Sequence, residues 1–286
     1  MSSSSISEGM VITREETAGV SKLRESYFPS SANINSHGML DDACLVRYLR
    51  ARDGNVEKAA AMLSATLDWR RDFGVDQIVQ DSGGVIAKEN ATGKVYMSGF
   101  DRQGRPVMVM RPKNENTMDY EGNIKHITYQ MERARAILQK TSGGLGKICL
   151  VIDYEGYSLR NAPPMKTSMQ TLKILQNHYP ETLGVAYFLS PPFFFRGFWK
   201  VIYPFIDRQT KDKFCFVAGN IRGAAAQAIL AKNFDLDQLE EALGGKYTTA
   251  FDSAVYLGAP MDHDFRSALS ASHAEKKQLA PESDVS

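Results

Sequence analysis

Cysteine is scarce in this 286-residue sequence: Cys44, Cys149 and Cys215 stand far apart, with no CxxC pair among them. That excludes a disulfide framework and a zinc knuckle, and it fits a reducing, cytoplasmic setting. Long hydrophobic runs are missing too. Val185–Leu189 stops at Ser190-Pro191-Pro192, far short of the about 20 apolar residues that cross a bilayer. Met1–Glu8 has neither a basic stretch nor an apolar core, and Ser2 stands where myristoylation needs glycine, so neither signal is expected there. Charge excess is absent as well. The 34 Lys+Arg against 33 Asp+Glu leave a net +1, which argues against a nucleic-acid binder and against an acidic disordered regulator.

Catalytic signatures are equally thin. There is no GxSxG elbow, and His37, His126, His178, His263 and His273 show no HExxH or other metal spacing. Ser142-Gly143-Gly144-Leu145-Gly146-Lys147 looks like a phosphate loop but precedes a strand instead of following one. Ile148 also stands where that loop needs Ser or Thr. It reads as a helix-to-strand turn. Asp153 and Glu155 close an apolar strand and read as loop-capping carboxylates more readily than as an acid/base pair. The expectation is a protein that is no enzyme and holds no metal.

What is present falls into two patterns. From about Ile6 to Val75 the chain reads as helices. Asp41-Asp42 caps a segment carrying Leu45, Val46 and Leu49. Asn55 caps the next, whose Val56, Ala60, Leu63 and Leu67 repeat at helical spacing until Phe73-Gly74. From about Lys94 the pattern alternates between strand and helix. Strands are expected at Val95–Met97, Val107–Met110, Ile148–Ile152, Val185–Phe188 and Phe214–Val217, and helices near Gly122–Lys140 and Met165–Tyr179. Ile148–Ile152 is apolar throughout, as a strand covered on both faces must be. The fold class expected is α/β. A helical unit over 1–85, disordered for about its first 8 residues, precedes a core over 86–250 and an extension over 251–286. The chain beyond about Ala259 reads as periphery.

Aromatic residues cluster in Pro191–Asp207. At helical spacing Phe194, Phe198, Val201, Ile202 and Phe205 form one face, and Phe195, Trp199, Ile202 and Ile206 the next. This apolar sector is wider than the ~100° stripe of a surface helix. Arg196, Lys200, Arg208, Lys211 and Lys213 outnumber Asp207 and Asp212 nearby. Two readings fit: a buried core helix, or a helix facing both a cavity and a membrane surface.

Leu45-Val46-Arg47-Tyr48-Leu49-Arg50-Ala51-Arg52, with Trp69-Arg70 closing a later helix, resembles the helical N-terminal unit of the CRAL-TRIO lipid-binding family. Gly99–Val107, Val151-Ile152-Asp153-Tyr154-Glu155-Gly156, His178–Gly184, the Phe/Trp helix and Pro204–Lys213 follow in the family's order, over about residues 40–250. The resemblance is closest to the phosphatidylinositol-transfer branch. It implies a mixed sheet, an apolar cavity and a movable gate helix matched by Phe193–Ile206. It also implies a bound lipid with no other cofactor. Arg52, Glu181, Thr210 and Lys213 match the head-group positions; their alternative roles are an ion pair of Glu181 with Lys213 and inter-unit packing by Arg52. Cationic donors and a hydroxyl suit a phosphodiester, and a carboxylate suits the inositol hydroxyls.

Where members that carry phosphatidylcholine place polar contacts, this sequence has Met97, Met108, Ile148 and Leu150. A zwitterionic head group there would lose about 1–3 kcal/mol per unsatisfied group. The resemblance therefore implies phosphatidylinositol binding with little phosphatidylcholine binding, and a more apolar second ligand such as sterol. It further implies a monomer that is cytoplasmic, peripheral on membranes and able to present its lipid to a phosphatidylinositol kinase. Drawing a diacyl lipid into water exposes about 30 methylenes at ~0.8 kcal/mol each, so the cavity must open at a membrane. Phe194, Phe195, Phe198, Trp199, Ile202 and Phe205 are the expected gate and docking residues. Pro191-Pro192 and Gly197 are the candidate hinges. A carrier of sterol or another hydrophobic ligand, and a non-catalytic scaffold, remain the alternatives.

Overall fold

The structure is a computed structural model of the chain and describes residues 11–29, 40–81 and 83–279. The disordered start expected over about the first eight residues lies outside them, as does the chain beyond 279.

The expected caps are where the helices begin and end. α1 (Arg14–Tyr27) opens on a capping box of Thr13 and Glu16. The Asp41 carboxylate accepts the Cys44 amide at the start of α2 (Asp42–Arg50). Asn55 accepts the Lys58 amide at the start of α3 (Val56–Phe73), which ends on Gly74 at φ 70°, a left-handed position that glycine fills without strain. Val20 and Leu23 of α1, Leu45, Val46 and Leu49 of α2, and Leu63 of α3 are buried in one cluster. α4 (Val75–Gln80) and α5 (Val85–Asn90) lead into the sheet.

Five strands form that sheet in sequence order: β1 (Val95–Phe100), β2 (Pro106–Met110), β3 (Ile148–Asp153), β4 (Leu183–Leu189) and β5 (Phe214–Val217). β1 pairs antiparallel with β2, and the remaining neighbours are parallel. The connections are α6 (Tyr120–Ser142), α7 (Met165–His178), and α8 (Phe195–Ile202) with the short α9 (Arg208–Lys211). Period-two alternation divides the strands cleanly. Val107, Val109, Cys149, Val151, Tyr187 and Leu189 pack on one face. Met108, Ile148, Ala186 and Phe188 point to the other, toward α6, α7 and α8. Both faces are covered, which is why β3 carries so few polar residues.

The first face is closed by the C-terminal part of the chain. α10 (Ala224–Asn233), α11 (Ser253–Gly258) and α12 (Phe265–Leu279) contribute Leu230, Tyr256 and Phe265 to its buried layer. The chain beyond Ala259 was expected at the periphery, and the structure corrects this. The fully buried Arg133 donates to the carbonyls of Ala259, Pro260 and His263, and the Asp264 carboxylate accepts the Gly99 amide of β1. The apolar residues here are too widely spaced to announce a core segment. A buried guanidinium needing carbonyl acceptors fixes the path.

Candidate functional site

A cavity of about 740 Å3 lies between the second sheet face and its helices. Met108, Met110, Ile148, Leu150, Phe188 and Phe214 form the sheet side. Ile127 and Met131 of α6 and Leu172 and Leu175 of α7 form the walls, and Trp199, Ile202, Phe205 and Ile206 cover the top. Such a lining accepts hydrocarbon and offers little to a polar ligand.

Part of the lining is polar. Arg52, Glu181, Thr210 and Lys213, from three separate stretches of chain, all line the cavity, as do Arg50, Asp53, Asp207 and Arg208. Arg52 follows α2 and donates to the neighbouring Ala51 carbonyl at 2.8 Å. Thr210 sits in α9, whose start is capped by Asp207, and its carbonyl accepts the Lys213 amide at 3.1 Å. The Lys213 ammonium has no hydrogen bond or ion pair among the described residues, and burial, followed by repulsion from Lys147, pulls its pKa down. Glu181 stands at φ 55°, an uncommon conformation for any residue other than glycine. It pairs with Lys147 at 3.0 Å, not with Lys213. Burial opposes its ionisation, but Lys147 and then Lys213 prevail and hold the carboxyl below the usual range. The lining thus holds an ammonium with no ion pair among the described residues and an ionised carboxylate.

The aromatic segment divides as its two helical faces predict. Phe195, Ile202 and Ile206 are buried and Trp199 half-buried, while Val201 and Phe205 are exposed. Phe195 packs on Tyr154 and Phe188 with ring centroids 4.9 and 5.7 Å apart; Trp199 packs on Phe214 and Phe216 at 5.0 and 5.2 Å. Phe194 meets Tyr157 and Phe198 meets Phe195. Phe193, 87% exposed, and Phe205, 58% exposed, form the outer apolar rim with Val201 and Tyr203. Among the described residues, one hydrogen bond ties the segment 195–206 to an element outside it: Gln176 Nε2 of α7 donates to the Phe205 carbonyl at 3.1 Å.

Three of the four apolar pocket residues, Met108, Ile148 and Leu150, line the cavity. Met97 does not: it is fully buried beside Met108 on the same sheet face, one strand over on the edge strand β1. Phe194, Phe195 and Phe198 likewise stand outside the lining, supporting the cover from beside it. Ser142–Lys147 is a turn between α6 and β3, as its position suggests. A phosphate loop aims N–H groups at an anion. Here the Gly144 and Gly146 carbonyls instead accept the Arg47 guanidinium, which also reaches the Glu181 carbonyl at 2.6 Å. Asp153 accepts the Glu155 amide at 2.9 Å, the loop-capping role.

Sequence reasoning missed this Arg47 clamp, the Lys147 partner of Glu181 and the Gln176 bond. Only Arg47 carried a signal, as a cation within the apolar run Leu45–Leu49. The helical unit is further locked to the core by Arg70, which donates to both Glu132 oxygens at 2.7 and 3.1 Å. Trp69 stacks on His178 at 4.1 Å.

The structure thus sets a covered cavity, with apolar and charged residues in its lining, on one face of a mixed sheet. Residues 90–245 match the CRAL/TRIO domain and residues 5–65 the CRAL/TRIO N-terminal domain, and the chain belongs to this family. It is 37% identical over 173 residues to CRAL-TRIO domain-containing protein C23B6.04c of Schizosaccharomyces pombe, covering 60% of this chain and 17% of that protein. It is 33% identical over 186 residues to phosphatidylinositol transfer protein PDR17 of Saccharomyces cerevisiae, covering 62% and 52%. The chain thus spans about half or less of these curated relatives. The crystal structure of Sfh5 shares the fold, with a TM-score of 0.63 over 94% of this chain and 99% of that one at 17% identity. Among the described residues no helix is long and apolar enough to cross a membrane.

Proposed function

We propose that the chain is a non-catalytic carrier of phosphatidylinositol that exchanges it, at membrane surfaces, for a second and more apolar lipid. The observation that carries this is that Arg52, Glu181, Thr210 and Lys213 all line one cavity together with a large apolar surface. Lys213 and Arg52 supply positive charge to a phosphodiester, Thr210 a hydroxyl, and the ionised Glu181 an acceptor for ring hydroxyls. The acyl chains lie against Met108, Ile148 and Leu150, which offer no partner to a choline phosphate. The relative named as a phosphatidylinositol transfer protein supports the same ligand.

Release follows from the cover. Phe193 and Phe205 enter the bilayer interface, Arg196 and Lys200 favour anionic lipid, and the segment 195–206 swings away from the sheet. The test is mass spectrometry of lipids extracted from the purified protein, followed by competition among phosphatidylinositol, phosphatidylcholine and sterol. Phosphatidylinositol is expected in the extract and in the loaded protein, and Lys213→Ala is expected to abolish its loading. Sterol alone would favour the alternative carrier, and an empty cavity in every preparation would sink the reading.

A further inference from the structure

A second cavity, of about 520 Å3, lies between α2, α6 and the chain at Met261-Asp262. It shares only Tyr179, Pro180 and Thr182 with the lipid cavity, which stands on the other side of that wall. Its hydrogen bonds are spent unevenly. Every carboxylate on its surface is occupied. Glu132 accepts both Arg70 bonds, the Tyr179 hydroxyl at 2.8 Å and Arg135 at 3.1 Å. Asp262 pairs with Lys140 at 3.0 Å and His263 at 2.9 Å, and Asp41 caps the Cys44 amide.

The guanidinium groups are not matched in the same way. Arg47 is spent on three neutral carbonyls, so its charge meets no carboxylate directly. Arg135 gives one hydrogen bond, to a Glu132 it shares with Arg70, and among the described residues its other N–H groups give none. A half-buried planar donor fork with spare N–H groups, beside a second uncompensated guanidinium, suits a carboxylate or phosphate. Around it the surface is apolar and aromatic, from Ala43, Val79, Ala136 and Met261 to the rings of Tyr48 and His178.

We propose that this cavity is a second binding site, for a small organic anion: a carboxylate or phosphate monoester carried on a short apolar or aromatic body. Its occupancy has a built-in reporter, because Trp69 lies flat on His178, with an interplanar angle of 2°. Trp199→Phe leaves Trp69 as the sole tryptophan. Phenyl phosphate is titrated into that full-length variant at pH 7.5, with inorganic phosphate in parallel. A saturable change in Trp69 emission is expected, with inorganic phosphate binding more weakly. Arg135→Gln is expected to weaken phenyl phosphate about tenfold or more. It leaves Glu132 with Arg70 and Tyr179, and a melting curve checks its fold. Ala136→Leu fills the cavity without changing any charge and is expected to weaken binding too.

Lys213→Ala separates the two cavities. A response that persists in it belongs to the second site, and one that vanishes belongs to the lipid head-group end and overturns the proposal. Absence of saturation, or saturation unaltered by Arg135→Gln and Ala136→Leu, overturns it as well. Inorganic phosphate binding as tightly as phenyl phosphate would refute the assigned ligand class.

Discussion

Replacing Gln176 by Ala removes the hydrogen bond that, alone among the described residues, joins the cover segment to another element. The cover otherwise stays shut by packing. Phe195 and Ile202 are nearly fully buried, and burying each such side chain is worth about 1.5–3 kcal/mol. The Gln176 amide to Phe205 carbonyl bond is neutral and near the surface, so its net contribution is about 0.5–1.5 kcal/mol. Removing it raises the open fraction about two- to tenfold without disturbing the fold. If opening limits exchange, transfer of labelled phosphatidylinositol between vesicles accelerates by the same factor in Gln176→Ala, at an unchanged melting temperature. Gln176→Glu cannot donate and sets a carboxylate against a carbonyl, so it must be at least as fast. A rate equal to that of the parent in both variants would refute the latch, and a slower rate would show that closure, not opening, limits exchange.

The remaining expectations concern the same cavity and its support. Phe193→Asp with Phe205→Asp is expected to slow vesicle-to-vesicle transfer several-fold with little change in stability, because both rings are exposed, whereas Phe195→Asp buries a charge and unfolds the cover; transfer rates and melting curves distinguish them. Lys213→Met is expected to hold or raise the melting temperature while phosphatidylinositol loading is lost, because the ammonium is desolvated without an ion-pair partner among the described residues. His178, chiefly through burial, has its pKa pulled from 6.5 to about 4. The unfolded chain therefore binds more protons between those values, and stability falls as pH drops from about 6.5 toward about 4, by at most about 1.4 kcal/mol per unit. Melting curves across that window are expected to be flatter for His178→Gln.

Much of this was legible where local chemistry decides the outcome. Asp41, Asn55 and Gly74 end helices because each satisfies the backbone groups a helix leaves open, and that requires only near neighbours in sequence. The five strands followed from apolar runs of the right length. Their faces did not, because β3 is apolar on both sides, and only pairing shows that Leu150 faces the cavity while Cys149 and Val151 face the C-terminal helices. Met97 was misassigned to the cavity for a related reason. Counting along β1 finds the residue paired with Met108 but not that β1 is the edge strand, beyond the strands that line the cavity. Arg47, Lys147 and Gln176 were invisible because their partners lie 97, 34 and 29 positions away, and nothing in a single sequence fixes such pairs.

The misfits of the lipid cavity are also its strongest functional argument. A stability-optimised core would not keep Lys213 half-buried with no ion-pair partner among the described residues, nor hold Glu181 at a positive φ. Each costs free energy in the empty protein. Arg47 holds the strained residue's backbone by gripping the Glu181 carbonyl and the Gly144–Gly146 turn together, while Lys147 holds its carboxylate. The same grip leaves Arg47 facing the second cavity with its charge uncompensated. One arginine thus both anchors the Glu181 backbone and places positive charge on the lining of the second cavity.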